Sequence, residues 1–329
     1  MPTCRLTHGQ NDSGGLVTRR IVVIGVPSNI GIKPYDDGRP RGVDRAPTTL
    51  REQGVVERLS ARDDGDVLPA PYRDFTRPHG RPRNDEELLD LTRRLSSRVA
   101  RAVGAGEFPL VLGGDCSVVL GALAGLRRAG ISRPGLVYLD AHADFATPEE
   151  SKSGSVASMC LGLAVGRGQT ILSALADTPA LVLERHVALV GRRDDAEPWY
   201  GQRALRSSAV LDLPDAQVQT SGYLATAGSI LERVGEPPVD GFWIHVDADV
   251  LTPDEIPAVD SPLPGGPCVE ELGALVAALV AHPQAKGLEL TIFDPLLDEG
   301  ERGAGHLVRM LTLALAPLIG AGRVSDGAT

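Results

Sequence analysis

The sequence predicts an α/β fold, a mainly parallel, doubly wound sheet with helices on both faces. Three observations predict it. Short runs rich in Val, Ile and Leu recur along the 329 residues. Most of these runs are continuously apolar and do not alternate, as expected of strands covered on both sides. Segments with helical spacing lie between them, and that alternation is what builds a parallel sheet.

The strand-like runs, in order, are Ile21 to Val26, Leu110 to Leu112, Leu136 to Leu139, Val187 to Val190, Phe242 to Val246 and Leu288 to Phe293. The clearest helix follows Asn84, which reads as an N-cap with Glu87 three residues on, and it carries Leu88, Leu91, Leu95 and Val99 on one face. A last helix is predicted over Gly305 to Gly320, where apolar clusters return at helical spacing. Gly, Pro and charged residues fill Pro27 to Pro47, which reads as a long loop at the carboxyl edge of the first strand. No repeat or linker divides the chain, so one domain is expected over 19–322. A polar lead, Met1 to Thr18, precedes it, and a frayed tail, 323–329, follows.

Composition narrows the function. A formal charge of -10 argues against a nucleic-acid or anionic-membrane partner, because a polyanion would be repelled by the average field. Four cysteines, Cys4, Cys116, Cys160 and Cys268, are too few and too scattered for a disulfide framework. No apolar run approaches the ~18 residues of a membrane span, and the first residues lack the apolar stretch of a secretory signal. A cytoplasmic protein acting on a small cationic, nitrogen-containing substrate fits these facts.

Three strands run directly into acidic or thiol groups, where open α/β sheets place their ligand sites. Leu110 to Leu112 leads into Gly113, Gly114, Asp115, Cys116 and Ser117; Leu136 to Leu139 leads into Asp140, Ala141, His142, Ala143 and Asp144; Phe242 to Val246 leads into Asp247, Ala248 and Asp249. A period of two would place Asp140, His142 and Asp144 on one side of an extended chain. So many anions around one imidazole would repel and desolvate one another without a cation. Oxygen ligands with one imidazole suit manganese, and the number of carboxylates suggests two ions sharing bridging groups.

These segments resemble the arginase and agmatinase (ureohydrolase) family. Its GGDHS, DAHxD and DxD signatures stand here as GGDCS (Gly113 to Ser117), DAHADF (Asp140 to Phe145) and HVDADVLTP (His245 to Pro253), and PAVDSPLPGG (Pro257 to Gly266) resembles its substrate loop. The resemblance implies a three-layer sandwich around a parallel sheet of about eight strands, assembled as a homo-oligomer, a trimer or hexamer. It also implies two divalent ions, manganese foremost. Cys116, Asp140, Asp144 and Asp247 would hold one, and His142, Asp140, Asp247 and Asp249 the other. The implied reaction is attack of a bridging hydroxide on a planar carbon bonded to nitrogen, with Asp144 handling the proton.

The sequence departs from that pattern in four places. Cys116 replaces a histidine ligand, and a thiolate shifts preference toward zinc, iron or nickel. Ala157 stands at the family's proton-shuttling histidine, and Ala146 at an asparagine that holds the substrate's carboxylate in arginases. Ile292 stands at the guanidinium-binding glutamate, with Glu289 nearby as the candidate catalytic replacement. Asp194 and Asp195, Glu149 and Glu150, and Ser153 are the candidate substrate-binding residues. The expected function is hydrolysis of a linear C–N bond in a guanidino or amidine compound other than arginine. The alternatives are hydrolysis of a formimino, hydroxyguanidino or other amide group on the same metals, or a non-catalytic binding protein of this fold.

Overall fold

The computed structural model describes residues 18–168, 170–175 and 180–319. The expected lead, Thr18 apart, and the expected tail lie outside them.

Eight strands form one sheet: β1 Ile21–Val26, β2 Arg62–Asp66, β3 Phe108–Gly113, β4 Pro134–Leu139, β5 Val187–Val190, β6 Leu211–Leu213, β7 Gly241–Asp247 and β8 Ala285–Thr291. Their order is β2-β1-β3-β8-β7-β4-β5-β6, and every pairing is parallel. β1, β3, β4, β5 and β7 are buried at every residue, which explains why their sequences do not alternate. Helices Asp85–Gly104 and Val118–Arg128 pack on each other, as do Val269–Val280 and Arg302–Ile319, and these helical layers enclose the sheet. The predicted α/β class is therefore the observed one.

Two strands escaped the sequence reading because they are edges. β2 reads Arg-Asp-Asp-Gly-Asp, and it pairs with β1 alone while Arg51 bonds Asp63 and Asp66, and Arg98 and Arg101 bond Asp64. Charge on an exposed edge discourages strand addition by another chain. β6 is only three residues long. The helix predicted after Asn84 does start at Asp85, but Asn84 adopts left-handed geometry (φ 49°) and its side chain makes no cap hydrogen bond. Its side chain instead accepts from Arg73 N and donates to Ile30 O, tying two loops together. The last helix begins three residues earlier than predicted, at Arg302.

The ends of β1 and β3 touch at Gly114, where a Cβ would lie 1.7 Å from the carbonyl oxygen of Ser28. Backbone, not a movable side chain, occupies that space. Gly114→Ala is expected to cost about 3 kcal/mol of stability through overpacking, read as a shift in the urea midpoint; an unshifted midpoint would mean that the two strand ends can part freely.

Candidate metal centre

β3, β8, β7 and β4 are neighbours in the centre of the sheet, so the loops leaving their carboxyl ends share one crevice. Cys116 enters it after the Gly113–Gly114 turn, whose shape is held by Asp115. That buried carboxylate accepts from Ser28 Oγ (2.9 Å), Gly31 N (3.1 Å) and Ser117 N (3.0 Å), so it serves the loop. Asp247 is the last residue of β7, and Asp249 follows in a short 3-10 turn.

The segment after β4 differs from the expected extended chain. Pleating ends at Leu139, His142 N donates back to Asp140 Oδ1 (2.6 Å), and Asp144 has φ 45°. A bent backbone, held by the contact of Ala143 N with Asp194 Oδ2 (2.8 Å), brings Asp140 and His142 together. Left-handed geometry at a non-glycine residue is strained, and strain of this kind concentrates at functional sites.

Two groups of possible ligand atoms converge there. One atom each from Cys116, Asp140, His245 and Asp247 lie within 4.8 Å of one another, and so do atoms of Asp140, His142 and Asp249, so Asp140 belongs to both groups. Asp144 lines the same cavity but stands outside both groups, with its Oδ2 accepting the Tyr138 hydroxyl at 2.8 Å.

The electrostatics are those of a site short of positive charge. Burial pushes the Asp140 carboxyl up to about 6, with the charge of Asp249 adding to the effect. Asp144 and Asp247 are pushed well above the usual carboxylate range, first by burial and then by Asp140 and Asp249 respectively. Burial, and then Asp247, raises the Cys116 thiol, whose Sγ donates to Asp247 Oδ2 at 2.9 Å. Burial opposes charge on His142, but Asp249, whose Oδ2 lies 2.9 Å away, and Asp140 together outweigh it and hold the imidazole well above its ordinary value. Asp140 Oδ2 and His142 Nε2 are buried with no hydrogen-bond partner. Natural proteins rarely leave such atoms unsatisfied unless something else binds them. An acid-rich donor set with orphaned oxygen and nitrogen atoms fits divalent cations.

A cavity of about 230 Å³ opens over this cluster. Its lining includes Tyr200 and Trp199, the apolar Ile32, Ala157 and Ile292, and Ser153, Ser155, Ser158 and Ser261. The Tyr200 ring leans on the His142 ring with centroids 4.5 Å apart. Arg41 pairs with Asp260 at the cavity wall and lies over the ring of Tyr35. Sequence reasoning missed Tyr138, Trp199, Tyr200, Lys33 and Arg41. Only the HxD spacing of His245 and Asp247 hinted at the histidine.

Several expected substrate residues sit elsewhere. Ser153 does line the cavity. Glu149 and Glu150 are exposed and outside its lining, Glu150 accepting from Thr147 N. Asp194 is buried behind the metal-strand loop, and Asp195 points to solvent; both pair with Arg192, which also binds Asp212. Arg193 turns inward as well, and its guanidinium donates to the carbonyls of Asp249 and Leu251. The GRRDD segment is thus a brace for the ligand loops. Glu289 lies one layer below the cavity, fully buried, with Oε1 2.7 Å from His245 Nδ1, because its place in β8 faces His245 of β7. Ala146 is likewise outside the cavity lining. Removing Arg192 would leave the buried Asp194 without its counter-charge, with Ala143 N still donating to it, so Arg192→Ala is expected to cost about 3–5 kcal/mol in urea unfolding; a loss under about 1 kcal/mol would show that the brace is dispensable.

Comparison with known proteins places this geometry. The Arginase family model matches residues 19–316. The arginase of Bacillus caldovelox is 30% identical over 299 residues, covering 88% of this chain and 96% of that protein. Its solved structure superposes with a TM-score of 0.80 at 28% identity, covering 90% of this chain and 98% of the other. The arginase structure from Bacillus cereus gives a TM-score of 0.77 at 28% identity, over 90% and 98% of the two chains.

Proposed function

The chain belongs to the arginase family, hydrolases of C–N bonds in guanidino compounds, and from that premise we propose that it holds two divalent ions, manganese in at least one site, and hydrolyses a small guanidino or related amidine compound other than arginine. The observation that carries the proposal is the convergence of Cys116, Asp140, His142, Asp247 and Asp249 in a buried cluster whose Asp140 and His142 keep unpartnered atoms. Asp140 belongs to both groups and would help hold each ion, with Cys116 and Asp247 beside one and His142 and Asp249 beside the other, while Asp144 faces them from the cavity wall. Bound there, the ions would ionise a water near neutral pH and polarise the substrate's C–N carbon.

The protein's own groups do the rest. Tyr138 occupies one oxygen of Asp144, leaving the other to take a proton and return it to the departing nitrogen. Tyr200 and Trp199 offer aromatic faces to a planar cation, and Ile32, Ala157 and Ile292 keep water away from the reacting carbon. Ile292 and Ala157 give a guanidinium no carboxylate and no imidazole, so any guanidino or amidine group would be held by other residues of the cavity, and Ala146, at the position of the arginases' carboxylate-holding asparagine, is the departure that supports a substrate other than arginine. No helix among the described residues is long and apolar enough to cross a membrane. We place the enzyme in the cytoplasm as a homo-trimer or homo-hexamer, which light scattering on purified protein would test.

The deciding experiment is a panel of guanidino, hydroxyguanidino and formimino compounds with manganese added, reading urea, hydroxyurea or ammonia. Turnover of a guanidino compound above arginine supports the proposal. Arginine as the best substrate would overturn the specificity reading, release only from formimino compounds would favour that chemistry, and no turnover across the panel would leave a binding protein.

A further inference from the structure

We propose that His245 is a ligand of the ion beside Cys116, replacing the imidazole that the cysteine displaced; the assignment rests on the dinuclear reading above. The His245 ring is fully buried, yet its Nε2 has no hydrogen-bond partner. An orphaned ring nitrogen costs stability unless something binds it. The ring is not stranded in an apolar core, since His245 joins Cys116, Asp140 and Asp247 in one group of possible ligand atoms within 4.8 Å. Nδ1 is already engaged, 2.7 Å from Glu289 Oε1, so Nε2 is the atom available to the group.

The surroundings fix the ring as a ligand needs to be fixed. A carboxylate behind the distal nitrogen sets the tautomer and raises the basicity of the ligating one. Glu289 occupies that position, fully buried and out of reach of the cavity. Tyr138 stacks on the imidazole, centroids 4.0 Å apart and planes within 15°, and spends its hydroxyl on Asp144. His245 and Asp247 are two residues apart on β7, so the pleat carries both side chains to one face of the sheet.

The two halves of the centre then differ in chemistry. Cys116, His245, Asp140 and Asp247 offer sulfur, nitrogen and oxygen, a set that favours zinc, whereas Asp140, His142 and Asp249 offer one nitrogen among oxygens and suit manganese. Glu289 becomes a positioning residue for the thiolate half.

The test uses the full-length protein loaded with zinc and with manganese, counting ions by elemental analysis and reading ligands by zinc X-ray absorption. Wild-type protein is expected to keep two ions per chain. His245→Ala should weaken one site by more than about 100-fold, and Glu289→Gln should weaken the same site by about 10–100-fold. In His142→Ala the remaining zinc should show sulfur and imidazole together. Two ions held with unchanged affinity in His245→Ala would overturn the assignment and leave the dinuclear reading standing, whereas a wild-type protein that binds no ions would overturn both. If His245→Ala does not fold, the zinc spectrum of His142→Ala decides alone, because sulfur without imidazole excludes His245.

Discussion

Dialysis against a chelator is expected to abolish hydrolysis and to invert the dependence of stability on pH. In the metal-free protein Asp140 is held up at about 6 by burial and by Asp249, and Asp144 and Asp247 are raised further. Unfolded, each titrates near the ordinary value of about 3.9. Between those values the folded state binds more protons than the unfolded chain, so stability falls as pH rises. The contribution of these acids is complete below about pH 4 and is lost as pH passes their folded values. His142, raised by Asp249 and Asp140 against the effect of burial, acts in the same direction above its ordinary value. Asp249 runs oppositely: burial would raise it, but His142 outweighs burial and holds it low, so its contribution is lost only in acid. Divalent ions reverse the balance of the cluster, because they bind the deprotonated ligands and compete with protons. At a free concentration 1,000 times its dissociation constant, each ion adds about 4.1 kcal/mol. Melting temperatures between pH 4.5 and 7.5 should therefore fall with chelator and rise with manganese; parallel curves would show that the acids are not a cation site.

Asp247→Asn is the second large effect, and its two consequences have opposite sign. The carboxylate belongs to the Cys116 group of possible ligand atoms, accepts from Cys116 Sγ, and receives Asp249 N at 2.8 Å. An amide keeps nearly the same shape but removes the charge. Groups one shell behind a metal cost about 10–100-fold when lost, so loss of Asp247, a direct ligand in the proposal, should lower kcat/KM by more than about 100-fold. The metal-free variant should nevertheless be more stable than metal-free wild type at pH 7, because one buried acid no longer has to ionise against its neighbours or hold a proton. Urea unfolding of both proteins in chelator checks this. A less stable variant would mean that the hydrogen bonds of Asp247 outweigh its repulsion.

Much of the site was legible because strand ends are local. A continuous apolar run followed by Asp-x-His-x-Asp or Asp-x-Asp states both where the strand stops and that acids follow, and the three segments do meet. The GRRDD segment was less legible. Its acids read equally well as substrate contacts, and only the packing shows Arg192 and Asp194 spent on holding the loops. Glu289 misled for a related reason: nearness in sequence to Ile292 suggested a substitute carboxylate, yet Glu289 lies three residues earlier, inside β8 and paired with His245, whereas Ile292 follows the strand and lines the cavity.

Sequence alone determined the parallel α/β architecture and the inventory of metal-seeking side chains, since burial on both faces and the chemistry of donor atoms are written residue by residue. The tertiary structure decided which donors share a point. It lifted Asp144 out of the ligand groups by a bend with positive φ, set Tyr200 and Trp199 over the cavity, and backed His245 with Glu289 from a strand 44 residues away. Those outcomes depend on strand order and register, which place β7 between β4 and β8, and no local pattern of residues encodes that order.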